Sequence, residues 1–461
     1  MGSSAQDKLL SGIRKWFGNL TPSEIYRFTL LGLIFACILG AYWTLKPLKD
    51  AIFMSMVGAK QYIPWAKILS LIVFFPSVIG YSKLIDRLSR YKMIYLLSSF
   101  YGLIIIGFGF LFLDPQIGLA NTTTDAGRLI GWAWYVIVEL YGSLMVALFW
   151  GFATDVTSAN AARAGFPFVV MIGQLGSVLL PQFLTLVSSP EKFGTSAYLV
   201  IATGFLILCT IICTYIFSSK IPKAQLHGYK AAETVQSTSA KAGFFKGLKL
   251  LFSQPYLLGI LSIVGIYEII VTIFDFNFKT MVEASIAQEW KRTLYLNDYA
   301  FWVNITALIC LILGAGNIQK WLGVTRTLVI MPCIIAVIVG LFYFYPVISV
   351  VWYIMVGAKA FNFALNSPTI KQLYIPTSHD VKYKSQAWIE TFGARASKAA
   401  GSGINMLQGP LENMLGLTAG FGVFVTITTL LSYGLLTCWL LVAVFLGSRY
   451  TAAVKENKVV C

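Results

Sequence analysis

Lys46, Lys49 and Asp50 stand at i, i+3 and i+4 inside an apolar stretch that begins near Tyr26 and runs to Met56. On a helix they share one face. Other apolar stretches are interrupted in the same way, by Glu139, Asp155, Glu268, Asp275, Lys279, Lys359, Lys371, Glu390, Arg395 and Lys398. A cation at bilayer depth costs roughly 2.5–3.5 kcal/mol on insertion scales, so such residues normally face a wet cavity and mark a solute path. Glu268, Asp275 and Lys279 lie at i, i+7 and i+11, again on one helical face. Arg395 and Lys398 are three apart among Ala394, Ala396, Ala399, Ala400 and Gly401. Small neighbours let helices approach closely or leave room for a ligand. Clustered Lys and Arg suit a multiply charged anion, because the Arg fork binds phosphate through two bonds and Lys acts as a point charge. We therefore take Lys46, Lys49, Lys279, Arg395 and Lys398 as candidate substrate-binding residues. Asp50, Glu139, Asp155, Glu268 and Asp275 are the candidate gate or coupling partners. Local pairs at i, i+4, Lys46 with Asp50 or Asp275 with Lys279, would make some of these charges simple struts, but five cations are more than such struts require.

The composition agrees with a bilayer setting. The chain is 57% hydrophobic and 12% charged, where a soluble domain carries about 25% charged residues. Its formal net charge is +16. Much of that excess falls in loops between apolar stretches, where it sets orientation, and it is not read as a nucleic-acid surface. Cys37, Cys209, Cys213, Cys310, Cys333 and Cys438 fall in apolar spans, and Cys461 ends the chain. Cys209 and Cys213 are one helical turn apart, yet the only histidines, His227 and His379, lie in polar segments elsewhere. Neither a disulfide nor a metal site is expected. No phosphate-cradling glycine loop and no zinc-protease motif occur, so an enzyme is not expected, nor any cofactor.

An apolar run of about 20 residues crosses the hydrocarbon core. Twelve such runs are expected, near 26–57, 64–83, 92–113, 130–155, 163–188, 196–218, 255–279, 297–317, 324–345, 347–374, 385–408 and 417–447. The eleventh is the least apolar. Lys83, Arg87, Arg90 and Lys92, then the lysines between Lys220 and Lys249, then Lys320 and Arg326, Lys382 and Lys384, and finally Arg449, Lys455 and Lys458 all fall on one side of such a topology. That side is cytoplasmic by the positive-inside rule, which places both termini inside. Residues 1–21 are polar and basic and do not read as a cleavable signal. The expected organisation is an N-terminal segment 1–25, a six-helix half 26–218, a cytoplasmic linker 219–254, a second six-helix half 255–447 and a tail 448–461.

The two halves resemble each other. At a shift of 225 residues Gly40, Tyr42, Asp50, Phe53, Met56, Val57 and Ala59 meet Gly265, Tyr267, Asp275, Phe278, Met281, Val282 and Ala284. At a shift of 220, Gly173 and Ser177 meet Gly393 and Ser397. A duplicated six-span unit is the organisation of the major-facilitator fold, with substrate held between the halves near the bilayer midplane.

Specific stretches carry a family resemblance. They are Leu45-Lys-Pro-Leu-Lys-Asp50, Val138-Glu-Leu-Tyr-Gly-Ser143 with Phe149-Trp-Gly-Phe-Ala-Thr-Asp155, Tyr267-Glu268 with Phe278-Lys279, Ser367-Pro-Thr before Tyr374-Ile-Pro376, and Gly393, Arg395 and Lys398. Spread over nearly the whole chain, they resemble the ATP/ADP carriers of intracellular bacteria and plastids. The resemblance implies an all-α, twelve-helix, major-facilitator-like nucleotide transporter in an inner membrane. It would exchange ATP for ADP, with phosphate, by alternating access at a central cationic site, and a monomer is expected. It also implies that Lys49, Glu139, Glu268 and Lys398 occupy positions important for transport. One stretch departs from the family pattern. Exchangers commonly read Asp-Pro-Thr-Lys-Glu before Tyr-Ile-Pro, whereas this chain reads Ser367-Pro-Thr-Ile-Lys371. That departure leaves room for a proton-coupled importer of another nucleotide. A facilitator for a different phosphorylated anion and a nucleotide receptor that moves nothing are further alternatives.

Overall fold

The computed structural model of the chain describes residues 21–85, 87–157, 159–221, 251–312, 315–377, 386, 388–456 and 460. Most of the expected linker, both histidines, Lys382, Lys384 and Lys458 lie outside the described residues. Within them the protein is helical, without strands. The main helices are α1 (Pro22–Met56), α2 (Ile63–Ile85), α3 (Arg90–Leu113), α4 (Leu129–Asp155), α5 (Ala159–Val187), α6 (Ala197–Lys220), α7 (Pro255–Ser285), α8 (Glu289–Ile312), α9 (Ala315–Phe344), α10 (Ile348–Leu373), α11 (Ala394–Asn405) and α12 (Leu417–Glu456).

Ten helices among the described residues are long and apolar enough to cross a membrane. The expected eighth and eleventh spans, 297–317 and 385–408, are not among the ten, and each includes residues outside the described ones. Helix α8 opens on Glu289, Lys291 and Arg292 and carries Asp298, and α11 is short and carries Arg395 and Lys398. The last helix runs to Glu456, so part of the segment expected to be a tail continues α12.

Local sequence explains the helix ends. Thr21 caps α1 by accepting from the Glu24 backbone N–H while the Glu24 carboxylate accepts from the Thr21 N–H, and Pro22 takes the first helical position. This reciprocal arrangement satisfies two otherwise unpaired donors. Pro47 lies inside α1, yet α1 is one helix from Pro22 to Met56. A single lost backbone bond is tolerated in a membrane helix when its neighbours bury it, and Leu45, Pro47, Leu48 and Lys49 are all buried. Gly323 does interrupt α9, with φ +76°, a backbone conformation open mainly to glycine. Two turns in the C-terminal part are wound as π-helix, Asn362–Asn366 within α10 and Trp388–Gly393 just before α11. The first directly precedes Ser367-Pro368, where proline supplies no backbone donor.

The helices form two compact units. The first contains α1, α2 from Ile72, α3 to α6, and α8 up to Phe301; the second contains Gly58–Leu71, α7, the remainder of α8, and α9 to α12. In the first unit α1 packs chiefly on α5, and α3 on α6; in the second, α7 packs chiefly on α11 and α9 on α12. The pairings correspond in order, as a duplicated unit would require.

Glycines set the spacing of the α1–α5 and α7–α11 pairs. A Cβ on Gly176 of α5 would lie 2.5 Å from the Ala36 Cβ and 2.8 Å from the Ala36 carbonyl oxygen of α1. One on Gly401 of α11 would lie 2.9 Å from the Ile269 carbonyl oxygen of α7. Backbone cannot give way as a side chain does, so Gly176→Leu should force α1 from α5. Overpacking of this kind costs about 1–3 kcal/mol. A lowered unfolding temperature in detergent would show it, with Gly403→Ala as the control, since nothing lies within 4 Å of a Cβ there.

Candidate substrate site

Each unit buries a charged cluster. In the first, Lys49 and Asp50 of α1 are only 5% and 4% exposed. The Lys49 ammonium donates to the Glu139 carboxylate of α4 and stands 3.6 Å from Asp50. It also lies 4.3 Å from the centre of the Tyr135 ring. Two carboxylates and an aromatic face thus surround one cation, the arrangement that makes a buried charge tolerable. Lys46 sits a turn earlier, half-buried, with its ammonium 4.3 Å from the Trp43 ring centre and 5.8 Å from that of Tyr42. Gly142, one turn beyond Glu139, makes room for the Tyr42 ring. Asp155 closes α4 and is exposed. It is 16 residues past Glu139, about 24 Å along the axis at 1.5 Å per residue, so the structure does not bring it to this cluster.

In the second unit the balance is reversed. Asp275 of α7 receives three ammonium groups: Lys279 at 2.6 Å and Lys67 at 3.4 Å on Oδ2, and Lys359 of α10 at 2.9 Å on Oδ1. All four side chains are largely buried, at 7–15% exposure. Glu268 lies two turns earlier on α7, with the Lys398 ammonium of α11 3.6 Å from its Oε2. Lys398 is half-exposed and Arg395, one turn before it, is partly buried. The close approach of α7 and α11 that positions this pair rests on Gly265, whose Cβ would lie 2.9 Å from the Ser397 hydroxyl, and on Gly401. Lys371 and Glu390 are exposed, and the Gln386 amide donates to Glu390 at 2.7 Å.

The sequence reading thus had Lys49 and Glu139, Asp275 and Lys279, and Glu268 and Lys398 among its candidates, and the structure joins each of these pairs. It missed Lys67, which contacts a carboxylate 208 residues away in the chain, and left Lys359 out of the site although its depth had marked it. It also missed the ion pair between Lys60 and Glu412 and the 2.8 Å bond from the Ala59 N–H to Glu283. Burial holds the Lys60 ammonium below its ordinary pKa, with nearby Glu283 opposing the shift. The one signal for this group was the Val57-Gly58-Ala59-Lys60 turn, which ends the repeated segment.

The profile of the TLC ATP/ADP transporter family matches residues 3–352. ADP,ATP carrier protein 1 of Rickettsia prowazekii is 24% identical, over 99% of this chain and 100% of its own length. ADP,ATP carrier protein 1 of Chlamydia muridarum is 22% identical, over 97% and 93%. The chloroplastic ADP,ATP carrier protein 2 of Arabidopsis thaliana is 22% identical, over 96% and 78%. Solved structures share the fold. A bacterial homologue of the iron transporter ferroportin in an inward-facing state aligns with TM-score 0.60 at 12% identity, over 91% of this chain and 100% of that one. The nucleoside transporter NupG aligns with TM-score 0.56 at 15% identity, over 92% and 99%. The likeness is one of fold, an all-helical, major-facilitator-like architecture. The protein is a multi-pass membrane transporter, not an enzyme, and it belongs to the TLC ATP/ADP transporter family.

Proposed function

We propose that the protein exchanges ATP for ADP across a membrane by alternating access, with phosphate as an additional counter-substrate. The observation that carries this reading is the family match across most of the chain, with full-length similarity to proteins named ADP,ATP carriers. The geometry adds a reason. Lys46, Lys49 and Lys279 lie on apolar helices and, like Lys398 of α11, face carboxylates or aromatic rings, and Arg395 is assigned from its place one turn before Lys398. They would receive the nucleotide phosphates. Asp50, Glu139, Glu268 and Asp275 would take the same cations when no nucleotide is bound. Asp155 remains a candidate for coupling at the end of α4. An empty site held by internal pairs has no reason to cross, which makes passage depend on a bound anion and so favours exchange.

The functional halves we assign are 26–218 and 255–447, joined by the linker 219–254 and flanked by the segments 1–25 and 448–461. The inner membrane, both termini in the cytoplasm and a monomeric carrier complete the reading. The bilayer is its setting, and nucleic acid is not a partner. The stretch Ser367–Lys371 favours a second reading, proton-coupled import of another nucleotide, because it directly follows the π-wound turn of α10 and places a cation where exchangers commonly carry an acid.

Competition discriminates nucleotide from other phosphorylated anions. Unlabelled ADP in excess should suppress uptake of labelled ATP into proteoliposomes, and an equal excess of a sugar phosphate should leave it unchanged. Suppression by the sugar phosphate alone would replace the nucleotide reading.

A further inference from the structure

The repeat places Asp50 of α1 and Asp275 of α7 at equivalent positions. Beside Asp50 stands the Lys49 ammonium, which also meets a second carboxylate, Glu139. Around Asp275 three ammonium groups converge on one carboxylate. The carboxylate has two oxygens, so Lys279 and Lys67 both address Oδ2 while Lys359 addresses Oδ1. A terminal phosphoryl group offers three oxygens and more negative charge, so it can give each ammonium its own acceptor. Lysine is suited to such a role because its ammonium is a point charge on a flexible stem that can move from one anion to another. Asp275, Lys67 and Lys359 each keep 12–15% exposure, so the cluster has an edge that an anion can reach.

From this geometry we infer that Lys67, Lys279 and Lys359 form a polyphosphate subsite in which Asp275 is the built-in competitor of the bound phosphates. The inference rests on the nucleotide reading for its physiological ligand, but the site itself is defined by phosphate chemistry alone. Lys67 and Lys359 are the new members. Each arrives from a different helix, α2 and α10, so the subsite is assembled by three helices of one unit. When phosphate binds, the three lysines transfer from the carboxylate to the phosphoryl oxygens, and when it leaves they return.

Binding of pyrophosphate to the purified, detergent-solubilised full chain, measured by calorimetry at fixed ionic strength, tests the subsite without a nucleotide base. Lys359→Gln and Lys67→Gln should each raise the pyrophosphate Kd about tenfold, the scale of one charge-assisted hydrogen bond. Asp275→Asn should lower it, also about tenfold, because the competitor's charge is gone. A cluster that only braces the fold would lower the unfolding temperature in all three variants and move the Kd in none, and that result would overturn the inference. Lys67 has the longest contact and the greatest exposure of the three lysines, so its variant carries the test if the others fail to fold. Opposite shifts for Lys67→Gln and Asp275→Asn in a protein that does not bind ATP would keep the subsite and remove the nucleotide reading. ATP binding with no shift in the variants would do the reverse.

Discussion

Lys49→Ala is expected to abolish transport and to destabilise the protein at the same time. Lys49 is 5% exposed, bonded to Glu139 and close to Asp50. Removing it leaves two carboxylates facing each other at membrane depth without their shared cation. Truncating one partner of a buried ion pair costs about 3–5 kcal/mol, because the charge left behind is uncompensated. The variant should therefore unfold at clearly lower temperature and show no ATP uptake above background. Glu139→Gln keeps a hydrogen-bond acceptor for Lys49 and leaves Asp50 as its counter-charge, so it should lose transport with a smaller loss of stability. Both are read by a thermal-unfolding trace on the purified protein beside uptake in proteoliposomes. A Lys49→Ala protein of normal stability and normal uptake would contradict the role assigned to this cluster.

Lys398→Ala should separate the two effects. Lys398 is 49% exposed and lies 3.6 Å from Glu268, a loose pair of the kind that contributes little to stability. The unfolding temperature should remain that of the parent protein. Uptake should fall at least tenfold, on the order expected when one charge-assisted contact to phosphate is lost. Lys398→Arg, which preserves the charge, should restore a measurable part of it. Full uptake by a folded Lys398→Ala protein would remove this residue from the substrate path.

The contrast between these two lysines shows where the sequence stops being sufficient. Both were chosen because they interrupt apolar runs, and the sequence treats them alike. Only packing distinguishes a cation enclosed by Glu139, Asp50 and Tyr135 from one half-open on α11. Features within a single helix were legible. Asp275 and Lys279 pair at the i, i+4 spacing expected of them, and the low hydropathy of the eleventh span follows from Arg395 and Lys398. Spacing alone does not foretell that Lys46 stands over the Trp43 ring or that Lys49 stands beside Asp50. Contacts between distant parts of the chain were not legible. Nothing local to Lys67 announces Asp275, and nothing local to Lys60 announces Glu412. The π-wound turns left only Pro368 as a trace, because a single widened turn is too short to show a hydrophobic period of its own. Pro47 is the opposite case, since buried within the bundle it leaves α1 continuous where isolated propensity would end it.

The central claim is exchange, and the most direct measurement is uptake of radiolabelled ATP by proteoliposomes, with and without ADP sealed inside. Uptake that requires internal ADP, and that a protonophore leaves unchanged, is the predicted result. Equal uptake by empty vesicles, collapsed by the protonophore, would contradict exchange and make Ser367–Lys371 the mark of a proton-coupled importer.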